Sequence, residues 1–184
     1  MQAGREVTVE DLYRVPENAK AELVRGELVI MSPGGDAHGY AAAEVFVSLR
    51  EHARRTKSGR AIPDNVGFLV DLPTRRSFSP DAAYYMGPPC GARFIDGAPM
   101  FAVEVRSVDD YGPAAEVALA GKRADYFAAG TLVVWDVDVL RDRVVRVYRV
   151  NDPNPTIFGA GETADAEPAV HGWSMLVDDL FLPE

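Results

Sequence analysis

The segment Phe101-Ala102-Val103-Glu104-Val105-Arg106-Ser107 constrains this chain more than any other. It reads as a strand, and strand side chains alternate between the two faces of a sheet. Phe101, Val103 and Val105 fall on one face, and Ala102, Glu104 and Arg106 on the other. A carboxylate and a guanidinium therefore point the same way from an otherwise apolar segment. A buried charge is costly unless it is paired or holds a metal. Two readings follow: an internal ion pair that supports the sheet, or a catalytic face that holds a hard cation.

The 184 residues predict one domain over 1–184 with a core of its own. An apolar fraction of 47% and a charged fraction of 26% are ordinary for a soluble globular protein. No apolar run approaches the ~18 residues of a membrane helix, and Met1 to Glu6 contain none that suits a signal peptide. A single cysteine, Cys90, excludes an internal disulfide and a Cys-rich zinc site, and fits a reducing cytoplasm. The net charge of -9 argues against a general nucleic-acid coat protein, which would carry a basic excess. It leaves room for an enzyme with a local basic groove around a metal, because acidic ligands add to the negative count.

Along the chain, Val7 to Tyr13 predicts a short helix closed by Pro16. Two apolar runs around Arg25-Gly26 predict a hairpin over 22–31. Asp36 is the expected N-cap of a helix over 38–55, with Ala41, Val45, Leu49 and Ala53 as its buried stripe. Strands are expected over 66–71, 81–86 and 101–107, with a basic turn containing Arg75 and Arg76 between the first two. Pro113 opens a helix to Ala129 that is expected to bury Val117, Ala120 or Gly121, Ala124 and Phe127. Lys122 and Tyr126, four apart, share one face of it. Residues 131–137 read as a strand covered on both faces, and 144–150 as its antiparallel neighbour. Residues 151–172 read as loop with short strands at most, and 173–182 as a final strand or short helix. The class is α/β, with a parallel crossover across 101–137.

Chemistry gathers at Asp81, Glu104, Arg106 and Lys122. Asp81 opens one strand and Glu104 lies in the next. If these are neighbours ~4.8 Å apart, both carboxylates reach one cation. Oxygen ligands with water favour Mg²⁺ or Mn²⁺. Such an ion polarises a phosphodiester and lowers the pKa of a bound water, while Arg106 or Lys122 stabilises the developing charge.

Pro80-Asp81 followed by Glu104-Val105-Arg106 resembles the PD-(D/E)XK nuclease signature. The ordered set Glu22-Leu23-Val24-Arg25-Gly26-Glu27-Leu28, Met31-Ser32-Pro33 with His38, Ser79-Pro80-Asp81, Glu104 to Ser107 with Asp109, Lys122 with Tyr126 and Gly130, and Trp135 extends the likeness. It resembles the bacterial family described as "putative restriction endonuclease" within that superfamily. The resemblance implies a restriction-endonuclease-like αβββαβ core, with a mixed central sheet flanked by helices and preceded by the hairpin. It implies a metal-dependent endonuclease that hydrolyses phosphodiester bonds in DNA, commonly as a homodimer. It implies Mg (or Mn) held by Asp81, Glu104 and the carbonyl of Val105, with Glu22 ahead of His38 as an outer ligand of metal or water. The last signature position holds Arg106 in place of Lys. Arginine stays charged and cannot serve as a base, so the lysine role falls to Lys122 or is kept as a charge by Arg106. The alternative function is a catalytically inactive nuclease-fold module that binds DNA or a protein partner, favoured by the net charge and by Arg106.

Overall fold

Val133–Asp138 is the strand around which the layers stack, and all six of its residues are buried. The computed structural model describes residues 7–16 and 19–183. The reading of Met1 to Glu6 as carrying no signal peptide lies outside them. In chain order, a single helical turn α1 (Val9–Leu12) precedes the hairpin β1 (Lys20–Val24) and β2 (Glu27–Met31), the long helix α2 (Asp36–Thr56) and strand β3 (Arg60–Ile62). Then come β4 (Phe68–Leu69), β5 (Ser77–Phe78), β6 (Ala82–Tyr85), β7 (Ile95–Asp96) and β8 (Phe101–Val105). Helix α3 (Pro113–Ala128) leads to β9 (Val133–Asp138) and β10 (Val144–Arg149), then to β11 (Thr156–Phe158), β12 (Thr163–Asp165), β13 (Ser174–Leu176) and a closing 3-10 turn, Val177–Leu180.

Among the described residues the central sheet runs β11-β10-β9-β8-β6-β3. Only the β8–β9 pair is parallel. This follows from connectivity: α3 carries the chain back across the sheet before β9, whereas a tight turn returns β10 antiparallel to β9. The run α2, β3, β6, β8, α3, β9 is the expected αβββαβ arrangement with a mixed sheet between helices.

The alternation read from residues 101–105 holds. Phe101, Val103 and Val105 pack with Ala41, Val45 and Leu49 of α2 and with Trp135 and Trp173. Ala102 faces the opposite layer, with Val134, Phe78 and Tyr126. Phe101 is fully buried, its ring 5.3 Å from that of Trp135 and 5.5 Å from that of Trp173. The hairpin closes through Arg25 and Gly26, both at positive φ (49° and 77°). A two-residue turn of this kind needs that at both central positions.

Four expectations change. Helix α1 is one turn, shorter than the helix expected from Val7 to Tyr13. Asp36 is the first residue of α2 and Gly35 its N-cap, so no side chain caps that end. Residues 66–71 contribute only Phe68–Leu69, and these pair with β5 and β7 in a separate small sheet. The edge strand beside β6 is β3, whose three residues offer too short an alternation to stand out. Lastly, α3 does not bury Val117, which is 74% exposed, and Ala124 is exposed too. The helix instead turns Leu119, Lys122 and Tyr126 toward the sheet, with Tyr126 fully buried. Polar partners on the sheet set this rotation, as the site geometry makes plain.

The packing predicts that Phe101→Ala costs about 3–5 kcal/mol in chemical denaturation. Val117→Ala should stay within about 0.5 kcal/mol, as for an exposed position. A cost of several kcal/mol at Val117 would contradict the observed rotation of α3.

Candidate active site

Strand pairing carries three carboxylates to one end of the β6–β8 pair. Asp81 immediately precedes β6, and its N–H donates to the Val103 carbonyl at 2.9 Å, which fixes it against β8. Glu104 projects from β8 on the α3 face. Glu22 comes from the hairpin, which is stitched to the segment before Asp81. The Leu23 N–H donates to Ser77 Oγ at 2.8 Å, and the Ser79 N–H to Glu22 Oε1 at 2.9 Å.

Each carboxylate is met by cations and donors. Asp81 Oδ1 accepts from Lys20 Nζ at 2.6 Å, and Oδ2 accepts from the Val105 N–H at 2.7 Å and lies 3.2 Å from His38 Nε2. Glu104 Oε2 accepts from Lys122 Nζ at 2.7 Å and Oε1 from the Tyr126 hydroxyl at 2.7 Å. Lys122 Nζ also sits 2.9 Å from Glu22 Oε1, bridging two carboxylates. Glu22 Oε2 takes Arg75 Nη1 at 2.5 Å, and Arg75 Nε reaches Asp125 of α3 at 2.9 Å. A cavity of about 10 Å³, the size of one water, lies among Glu104, Lys122, Tyr126 and Asp136.

The electrostatics separate the three acids. Burial pushes the Asp81 carboxyl up, but the His38 hydrogen bond and the Lys20 charge outweigh it and hold Asp81 well below the usual carboxylate range. Burial likewise opposes the charge on Glu22, and Lys122 and Arg75 overcome it, so Glu22 also lies low. Glu104 goes the other way: burial raises it and Asp81 and Glu22 repel its charge, more than Lys122 compensates. Burial disfavours the charged form of Lys122, yet Glu104 and Glu22 hold its pKa above the ordinary lysine value. It is therefore a fixed positive charge.

The structure thus brings together Asp81, Glu104, Glu22 and Lys122, with the Val105 backbone against Asp81. It does not bring in Arg106. Its Nε and Nη2 fork onto Asp136 of β9, both at 2.7 Å, and its Nη1 meets Glu116 of α3 at 2.5 Å. Glu104 and Arg106 do not pair with each other either, since Glu104 meets Lys122 and Tyr126. One strand over from Glu104, Asp136 stands in register with it and offers two oxygens in the plane that a guanidinium matches. His38 does reach the site. Arg75, in the basic turn, is 6% exposed and belongs to the cluster. The candidates drawn from the sequence do not include Lys20 and give the Tyr126 hydroxyl no role. Lys20 had a signal: it lies two residues before Glu22 in β1, hence on the same strand face.

As ligands, the donors fit a hard cation. Among the described residues no three His, Cys, Asp or Glu side chains converge on one point. A pair of carboxylates with backbone oxygen and water is what Mg²⁺ uses, since it keeps several waters. A positive charge is already accommodated at this place, since Lys20 Nζ contacts Asp81 and is attracted by Glu104.

A family model described as "Putative restriction endonuclease" (Uma2) matches residues 9–178. Among solved structures, a "putative nuclease belonging to DUF820" from Anabaena variabilis ATCC 29413 superposes with a TM-score of 0.77. That similarity spans 95% of this chain and 97% of the other at 16% identity, a likeness of fold. No curated protein matches the chain. Among the described residues no helix is long and apolar enough to cross a membrane.

The His38–Asp81 contact yields a pH prediction. Accepting a hydrogen bond from His38, Asp81 raises the imidazole above its ordinary 6.5. A raised histidine adds stability that is full below the unfolded-state value and is lost as pH climbs through the folded one. Asp81→Asn should therefore shift the His38 titration, followed by NMR at the ring Cε1–H, to lower pH. An unchanged titration would rule the pairing out.

Proposed function

Because the chain belongs to the Uma2 family, described as putative restriction endonucleases, we propose that it is a metal-dependent nuclease that hydrolyses phosphodiester bonds in DNA. The observation that carries this reading is the meeting of Asp81 and Glu104, from adjacent strands, at a place that already accommodates a positive charge. Asp81 and Glu104 would hold Mg²⁺ or Mn²⁺, with the Val105 carbonyl as a further donor from the residue whose N–H meets Asp81. Bound there, the ion would supply a water of lowered pKa and offset charge on the leaving oxygen.

The chain's own residues divide the remaining work. Glu104, which lines a water-sized cavity, would orient an attacking water beside the ion. Lys122, held charged by two carboxylates, acts as a fixed cation that stabilises the developing negative charge on phosphorus oxygens. Proton abstraction by Lys122 does not suit a group so firmly protonated. Glu22 orients Lys122 and is itself held by Arg75 and the Ser79 N–H. Arg106 has no part in the chemistry, since its guanidinium is committed to Asp136 and Glu116. The proposal includes a homodimer, so that two sites serve the two strands of a duplex.

Isothermal titration of Mg²⁺ and Mn²⁺ should show binding by the wild type that is lost in Asp81→Ala and Glu104→Ala. Supercoiled plasmid should be nicked or linearised by the wild type alone. Lys122→Met should retain metal binding and lose at least about 100-fold in rate, the scale of removing one transition-state-stabilising charge. Metal binding without cleavage of any DNA would favour the inactive binding module, and no metal binding would remove the catalytic proposal.

A further inference from the structure

Lys20 bridges a buried carboxylate and a half-exposed one. Its Nζ lies 2.6 Å from Asp81 Oδ1 and 2.7 Å from Asp64 Oδ1. The Asp81 side chain is 5% exposed and that of Asp64 46%. The Lys20 side chain is itself only 15% exposed. The nearest competing charges lie on the inner side, where Glu104 also attracts it.

We propose that Lys20 is a tethered counter-ion. It occupies the cation position beside Asp81 when no divalent ion is bound, and swings to Asp64 alone when one binds. The proposal rests on the reading of Asp81 and Glu104 as metal ligands. Two like-charged carboxylates facing each other in a buried place repel, and a site built for a cation would open without one. An ammonium on a four-carbon stem is a compact point charge with freely rotating donors, so it fills that place without fixing its geometry. The same oxygen, Asp81 Oδ1, cannot hold an ammonium at 2.6 Å and a divalent ion without placing two positive charges side by side. The ion must therefore displace the ammonium, and half-exposed Asp64, already in contact, receives it at little cost in solvation. Lys122 cannot serve in this way, because both its partners, Glu22 and Glu104, are inside the site.

The test compares wild type, Lys20→Met and Asp64→Asn by calorimetric titration with Mn²⁺ and by melting with and without it. Methionine keeps the length and apolar stem of lysine and removes the charge. Lys20→Met should bind Mn²⁺ more tightly by about tenfold or more, the expected result of removing a neighbouring positive charge from a partly buried site. It should melt lower than wild type without metal, and gain more in Tm when Mn²⁺ is added. Asp64→Asn, altered at an exposed position, should bind Mn²⁺ more weakly than wild type, because the displaced ammonium has lost its outer partner. Should Lys20→Met fail to fold, Asp64→Asn decides alone. Equal or weaker Mn²⁺ binding by folded Lys20→Met, or unchanged binding by Asp64→Asn, overturns the tethered counter-ion and leaves the metal site standing. Absence of Mn²⁺ binding in all three proteins overturns both.

Discussion

Three carboxylates, Glu22, Asp81 and Glu104, are drawn out of water at one end of the sheet, and the fold is arranged around neutralising them. Lys20, Lys122 and Arg75 supply the compensating charge, each shared between two acids. Removing one partner from such a cluster leaves a buried charge uncompensated, whereas replacing the whole cluster with apolar residues costs far less. A chain selected for stability alone has no reason to keep it. The cluster therefore weighs toward function, as perturbed ionisable groups in a cleft commonly do. It also reinforces a junction that the backbone makes through the Arg25 N–H to the Thr74 carbonyl at 3.0 Å and the Arg76 N–H to the Leu23 carbonyl at 2.9 Å. The hairpin β1–β2 forms its own two-stranded sheet, and Glu22 ties it to α3 through Lys122 and to residues 75–79 through Arg75 and the Ser79 N–H.

The orientation of α3 illustrates which force decides. Its apolar residues are mostly alanine and valine, which gain little from burial. A carboxylate at position 104 left without a partner would cost more than those residues could return. The helix is accordingly rotated to deliver Lys122 and the Tyr126 hydroxyl to Glu104. Tyr126 then stacks on Phe78, ring centroids 3.9 Å apart, so one side chain serves both the ion cluster and the apolar layer. Val117 is left in solvent as a consequence.

The same balance explains what could be read from the residues. The alternation at 101–105, the stripe Ala41-Val45-Leu49 and the Arg25-Gly26 turn were legible because each is a local pattern with one physical solution. Asp81 and Glu104 were legible as a pair because one stands at the mouth of a strand and the other lies within the strand that pairs beside it. The burial face of α3 was not, because periodicity registers apolar side chains and this helix is turned by polar ones. Strand β3 was not, because three residues offer too little alternation, while the longer apolar run at 66–71 drew the assignment and was diverted into a side sheet by pairing with residues 77–78 and 95–96. The place of Arg75 in the cluster was not legible, because its partners, Glu22 and Asp125, lie 53 and 50 positions away.

Arg106, at the place where the resembling signature has lysine, serves the fold, while the helix supplies a cation to Glu104. It lies two residues beyond Glu104, just past the end of β8, where its planar fork spans both oxygens of Asp136 on the parallel neighbour and still reaches Glu116 on the helix between them. A lysine there has one nitrogen and could not hold all three points. Arg106 thus fastens the β8–α3–β9 crossover at its open end, the part of the fold held by a single parallel pair. It does so without stripping the carboxylate cluster of cations, because Lys122 approaches Glu104 from the helix on the same face. A position in a strand and a position on the helix packed over it can each supply such a charge, since both address the same few ångströms of space. Order along the chain therefore identifies the carboxylates of such a site better than it identifies the cation that serves them.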